Sequence, residues 1–138
     1  MTEEYKKPLL MKQYTIDRLK TLKTKENFIP RTILDIGAFE GYWASDIQCV
    51  FPESSLFLIE GNRDKEIFLL QSKLPYEIAL LSDKQKQVTF YKSKTVYTTG
   101  DSIYRENSDI FFNKDTHYAV QENTRTLDEV ILSRKIEN

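Results

Sequence analysis

The stretch Thr32-Ile33-Leu34-Asp35-Ile36-Gly37-Ala38-Phe39-Glu40-Gly41 constrains the fold of this chain more than any other. Thr32–Ile36 has no polar alternation, which suits a central strand covered on both faces. The chain holds only 4 glycines in 138 residues, and two of them follow this run at once. Gly37 permits backbone angles that a side chain forbids, so the strand can turn directly into a helix. Gly41 lacks a Cβ, so the start of that helix can approach a ligand or the strand closely. Backbone N–H groups of residues 37–43 are then expected to point outward from the helix N-terminus, towards polar ligand atoms.

The surrounding sequence alternates in the same way. Residues 9–24 read as a helix with Leu9, Tyr14, Ile16, Leu19 and Leu22 as its apolar stripe. Residues 41–51 read as a helix with Trp43, Ile47 and Val50 on one face, ended by Pro52. Ser55–Glu60 is a second apolar strand, closed by Gly61. Asn62 can cap a helix over 63–73 that carries Ile67, Leu69 and Leu70. Pro75 breaks it, and residues 76–81 read as a third strand. Strand, helix, strand, helix, strand at this spacing implies right-handed crossovers and a parallel sheet, an α/β architecture.

The character then changes. In residues 87–92, Val88 and Phe90 alternate with Thr89 and Tyr91, the period of an exposed or edge antiparallel strand. Residues 95–104 read as its hairpin partner, interrupted by Gly100-Asp101, within a polar region anchored by Phe111-Phe112. Residues 127–132 read as a short helix capped by Thr126, with Glu129 at the third helical position.

Composition narrows the partners. A net charge of -1 from 20 basic and 21 acidic residues gives no footprint for nucleic acid. The single cysteine, Cys49, cannot form an internal disulfide and reads as a small apolar helix residue in a reducing compartment. No apolar run approaches the roughly 18 residues of a membrane span, and MTEEYKK is too polar for a secretory signal. A soluble, cytoplasmic protein of one domain, with no membrane partner, is expected.

Glu60 falls at the tip of the second strand, where an open parallel sheet usually binds its ligand, and an acid there can accept both hydroxyls of a ribose. Asp35 ends an otherwise apolar strand, which costs burial energy unless donors are found. It either caps backbone N–H groups or accepts an ammonium group. Two carboxylates in a loop without lysine repel phosphate, so a cationic nucleoside fits better than a nucleotide. S-adenosylmethionine has a ribose, an α-amino group and a sulfonium, and no phosphate. A nucleotide- or dinucleotide-binding module is the alternative: Glu60 fits it, while Gly-x-x-x-Gly lacks the third glycine of G-x-G-x-x-G.

Asp35-Ile36-Gly37-Ala38-Phe39-Glu40-Gly41-Tyr42 resembles the first motif of class I S-adenosylmethionine-dependent methyltransferases. Phe57-Leu58-Ile59-Glu60-Gly61-Asn62 looks like their second strand, with glycine replacing the proline of F-E-P-N. Ala79-Leu80-Leu81-Ser82-Asp83, followed by Val88-Thr89-Phe90-Tyr91, resembles the third strand and hairpin of the FkbM methyltransferase family. Thr126-Leu127-Asp128-Glu129 matches the T-L-D-[DE] before that family's fourth strand, and the likeness spans roughly residues 30–132.

This resemblance implies a Rossmann-like class I methyltransferase fold over 31–138, behind an N-terminal helical segment, 1–30. The implied cofactor is S-adenosylmethionine, with Asp35, Gly37, Ala38 and Gly41 at its methionine end and Glu60 on the ribose. Gly61 and Asn62 would flank the adenine, with Ala79, Leu80 and Ser82 against its other side. The implied reaction is O-methylation of a sugar or small-molecule hydroxyl, which needs alignment, exclusion of water and a base. His117, the only histidine, is the candidate base, with Asp101, Tyr104 and Asp115 in the same region. The family's next strand, roughly L-K-I-D-x-[EQ]-G, has no counterpart before Asn138. The fold is therefore expected truncated: three parallel strands with crossover helices, then an antiparallel hairpin. The open edge of the first strand should be covered by N-terminal residues, by the 100–120 region or by a second copy of the chain. An inactive half-domain serving as an interaction module is the remaining alternative.

Overall fold

The computed structural model describes residues 3–95, 100–105, 107 and 114–136, with side chains from residue 13 onward. Strands β1 (Thr32–Ile36), β2 (Ser55–Glu60) and β3 (Tyr76–Ile78) form a parallel sheet in the order β1-β2-β3. The register sets Asp35 beside Leu58 and Ile36 beside Ile59. Successive side chains point to opposite faces, and both faces of β2 are covered, which explains its unbroken apolar run. Leu56 and Leu58 pack with Ala44, Ile47, Val50 and Leu69 on one side. Phe57 and Ile59 pack with Ala79 and Val130 on the other. Leu58 is 0% exposed, and removing such a side chain from water contributes roughly 1.5–3 kcal/mol.

Helices α1 (Glu3–Lys25), α2 (Tyr42–Val50) and α3 (Glu66–Ser72) supply the first layer, and α4 (Leu127–Arg134) the second. The chain is thus α/β with helices on both faces of a three-stranded parallel sheet, an arrangement compatible with a Rossmann-like fold. Among the described residues no helix is long and apolar enough to cross a membrane.

Several faces differ from the sequence expectation. In α1, Ile16 and Leu19 meet the core, while Tyr14 points to solvent and the Leu9 side chain lies outside the described residues. Lys23 ties α1 to the end of α2 by donating to the Val50 carbonyl and to Glu53, each at 2.8 Å. In α2 the inward row is Ala44, Ile47 and Val50, and Trp43 is half-exposed. The first turn of α2 lies so close to β2 that the small Ala44 takes the inward position. Cys49, expected as an apolar packing residue, faces solvent on α2. The helix after Asn62 opens as a 3-10 turn, Arg63–Lys65, capped by the Asn62 side chain, which accepts from the Asp64 N–H at 3.0 Å. Only Leu69 of its apolar residues is buried, while Ile67 and Leu70 are exposed.

The expected third strand breaks at Ala79. The Ala79 N–H still donates to the Glu60 carbonyl at 2.9 Å, but β4 (Leu80–Leu81) then leaves β2 and pairs in parallel with β6 (His117–Arg125). Strand β5 (Gln87–Ser93) runs antiparallel to β6, from Gln87 opposite Asn123 to Ser93 opposite His117. Among the described residues the strand partner of β5 is therefore β6, joined by a long connection, and the expected partner over 95–104 is present only as an antiparallel bridge. From that segment Ser102 forms a single backbone bridge to Tyr91 and the Asp101 side chain accepts from the Ser93 N–H, while residues 96–99 and Phe111-Phe112 lie outside the described residues. Neither α1 nor the described part of 100–120 pairs with the outer edge of β1, which has no strand partner among the described residues. The cap of α4 is as expected: Thr126 Oγ1 accepts from the Glu129 N–H, and Glu129 accepts from the Thr126 N–H.

Gly41 shows which constraint acts at the first turn of α2. It is left-handed, with φ of 74°, and a Cβ there would stand 3.3 Å from Leu58 Cδ2 and 3.5 Å from Ser72 Cβ. Gly37 is also left-handed, but a Cβ there meets nothing within 4 Å. Gly37→Ala is expected to cost the backbone term alone, about 1–2 kcal/mol. Gly41→Ala adds crowding of the core and is expected to cost more, about 2–4 kcal/mol. Urea denaturation of both variants checks the order.

Candidate functional site

The bend after β1 packs three left-handed residues into a short span: Gly37, Phe39 and Gly41, with Phe39 at φ 51°. A bulky residue is strained there and persists only where its surroundings over-determine it. The Phe39 N–H donates to Glu60 Oε2 at 2.9 Å, and the Lys65 ammonium lies 4.4 Å from the centre of the Phe39 ring. The Gly37 and Ala38 N–H groups donate to the Ile59 carbonyl at 2.8 and 3.1 Å, and the Gly41 N–H to the Ala38 carbonyl at 2.7 Å. These four N–H groups point inward, contrary to the expectation that the bend offers them to a ligand. The tip of β2 and the bend itself supply their acceptors.

The other Glu60 oxygen accepts from the Asn62 N–H at 2.7 Å. A carboxylate has about four acceptor positions, so Glu60 keeps capacity for further donors after joining the two loops. Asn62 is 2% exposed and fully engaged. Its Oδ1 accepts from the Asp64 N–H, and its Nδ2 donates to Asp101 Oδ2 at 2.7 Å. Asp101 Oδ1 in turn accepts from the Ser93 N–H at 2.7 Å. Beside this chain the buried Lys92 ammonium lies 2.7 Å from Asp64, which also accepts from the Tyr118 hydroxyl at 3.0 Å. The Lys92 hydrogen bond holds the Asp64 carboxyl below the usual range. Burial is the largest single influence on Lys92 and opposes its charge, but the hydrogen bonds and charges of Asp64 and Tyr118 together outweigh it and raise its pKa.

A cavity of about 260 Å³ opens where the C-terminal ends of β1 and β2 meet β4 and β5. Gly37, Glu60, Gly61, Ala79 and Leu80, all expected at the site, line it together with Ile36, Leu81, Phe90 and residues 101–103. Gly61 packs closely on its neighbour: a Cβ there would stand 2.9 Å from Leu80 Cδ1, so the Leu80 side chain would have to shift. The other expected residues lie outside the lining. Ala38 is buried in the core below α2, and Gly41 faces Leu58. Ser82 bonds Arg125 through its N–H and Asp83 through its hydroxyl. His117 opens β6 opposite Ser93, with Nδ1 2.8 Å from Thr116 Oγ1, and Tyr104 and Asp115 are exposed. Asp101 reaches the cavity, but as a hydrogen-bond acceptor for Asn62 and Ser93.

Asp35 shares the sheet face of Ile33, and Glu60 that of Leu58, so both acids project to the α2 side. Asp35 Oδ2 is buried without a hydrogen-bond partner. Burial, and then the charge of Glu60, push the Asp35 carboxyl above the ordinary range.

No protein-family model, no curated protein sequence and no solved structure matches this chain.

The raised Asp35 pKa fixes a sign. The folded chain holds that proton more tightly than the unfolded chain, so this group favours folding below the ordinary carboxylate pKa. The advantage is lost as pH rises through the folded value. Asp35→Asn is expected to be more stable than the parent at about pH 7, with the difference closing towards about pH 3. Thermal melts across that range decide it, and a parent that is the more stable at neutral pH contradicts the assignment.

Proposed function

We propose that this chain binds S-adenosylmethionine in the cavity at the strand ends and belongs to a Rossmann-like methyltransferase acting on a small-molecule or sugar hydroxyl. The observation that carries this reading is Glu60: it lines the cavity at the tip of β2 and keeps acceptor capacity after bonding Phe39 and Asn62. That is the chemistry a ribose diol requires. Asp35 lies outside the cavity lining, on the sheet face that Glu60 shares, and its partnerless oxygen would supply what an ammonium group requires. The apolar lining by Ile36, Leu80 and Phe90 suits a base, and the lining acids Glu60 and Asp101, with no lysine or arginine among the described lining residues, disfavour phosphate.

When bound, the cofactor would supply an electrophilic methyl group; the chain's own residues hold the ribose, accept the ammonium and keep water from the ring. His117 remains the proposed base, acting from β6, so His117→Ala should lower turnover and leave cofactor affinity unchanged. A cytoplasmic setting, resting on the single cysteine, belongs to the same proposal. The outer edge of β1, which has no strand partner among the described residues and where Ile36 is 55% exposed, supports self-association by strand addition.

Titration calorimetry with S-adenosylhomocysteine and with NAD tests the reading. S-adenosylhomocysteine is expected to bind and NAD to fail. Glu60→Gln should weaken S-adenosylhomocysteine at least about tenfold, since a bond to a charged group contributes about 1.5–3 kcal/mol. NAD binding alone would select a dinucleotide module. Silence with both, together with a dimer in light scattering, would select an interaction module built on the edge of β1.

A further inference from the structure

Resting on the nucleoside reading of the cavity, we propose that Asp101 is a positioning residue that fixes residues 101–103 as the cavity wall against the base. This short segment lies outside the two sheets. Its backbone meets β5 through Tyr91 and Ser102, whose N–H groups and carbonyls exchange bonds of 2.8 and 3.0 Å. Its remaining attachment is the Asp101 carboxylate. One oxygen receives the Asn62 amide at 2.7 Å and the other the Ser93 N–H at 2.7 Å. Asn62 follows Glu60 and Gly61, which line the cavity, and Ser93 ends β5, which contributes Phe90. Asp101 therefore joins the two sides that the cavity separates. The wall presents Ile103 to a cavity also lined by Ile36, Leu80 and Phe90, next to Glu60. An apolar slot beside an acceptor of hydroxyls fits a purine nucleoside. Asp101 spends one bond on each of the wall's two anchors, and its role is to act through the wall it holds.

The Asn62–Asp101 pair can be exchanged without losing a bond. In Asp101→Asn two amide donors face each other, and in Asn62→Asp two carboxylates do. The double exchange lets the relocated carboxylate accept from the new amide and from the Asp64 N–H, while the amide oxygen accepts from the Ser93 N–H. Calorimetry with adenosine and with S-adenosylhomocysteine, on the full chain, reads the effect, and melting temperature reports folding. Each single change is expected to weaken both ligands at least about tenfold, and the exchange to restore them to within about threefold. Ile103→Ala, which leaves every one of these bonds intact, is expected to weaken adenosine at least about threefold and serves if the single variants fail to fold.

Singles that lose melting temperature but keep the parent's affinity overturn the assignment, as does an exchange that folds without regaining affinity. Parent-like affinity in Ile103→Ala also overturns it. A parent chain that binds neither adenosine nor S-adenosylhomocysteine overturns the nucleoside reading and this assignment with it.

Discussion

The bridge made by the Glu60 carboxylate, from the Phe39 N–H on one side to the Asn62 N–H on the other, is the joint on which the rest of the site depends. Bonds of this charged kind contribute about 1.5–3 kcal/mol each. A left-handed bulky residue costs about 1–3 kcal/mol. The two bonds together exceed that cost, so Phe39 can stay left-handed and the chain can enter α2 within the span of the bend. The position of Gly41 against Leu58, and hence the seating of α2 on the sheet, follows from that bend. A shorter acid at residue 60 would not reach both loops.

Two aspartates show how the same side chain is treated differently a few ångströms into the fold. Asp64 has an ammonium at 2.7 Å and a phenol at 3.0 Å, so its charge is answered within the protein. Asp35 is half-buried beside a second carboxylate, and its buried oxygen is answered by nothing among the described residues. A structural acid is selected to be like Asp64, because an unanswered buried charge lowers stability. An acid like Asp35 is left with an oxygen that a donor from outside the chain would complete. That contrast bears more on ligand chemistry than the glycine spacing does, because strand–glycine–helix bends serve packing as readily as binding.

The parallel sheet was legible because β1 and β2 are unbroken apolar runs, and burial on both faces leaves no other pattern. Helix α2 was legible in extent, α1 begins six residues before the expected start and α3 opens as a 3-10 turn, and none was legible in phase. Periodicity sets the spacing of an apolar stripe, whereas the side that faces inward depends on what it meets. Trp43 reads as the core residue of α2 until the closeness of its first turn to β2 gives that place to Ala44. Strand β6 was invisible because its inward positions are a mixture such as Tyr118, Val120 and Thr124, and its order comes from the ladder to β5. The break at Ala79 was hidden for a related reason: Leu80 and Leu81 look like a continuation of β3, and only the contact of Gly61 with Leu80 shows the change of partner. Glycine and acid placement located Gly37 and Glu60 of the lining, and the family resemblance added Gly61, Ala79 and Leu80. The wall at Asp101 could not be read, because its partner Asn62 lies 39 residues away.

The cavity lies where the parallel sheet ends and the mixed sheet of β4, β5 and β6 begins, so its shape depends on how the two sheets are set against each other. Apolar contacts favour closeness but are non-directional, and they would allow one sheet to slide over the other. The contacts at this boundary are of another kind: Asn62 with Asp101, Lys92 with Asp64, and Tyr118 with Asp64. Each is short and directional, and each runs from the segment just after β2 to β5, β6 or the strap that follows β5. The core of this protein therefore sets which elements pack, and a small set of polar joints sets the distance across the cavity. Substitutions in the core would be expected to act on stability first, and substitutions in the joints on the fit of whatever the cavity receives.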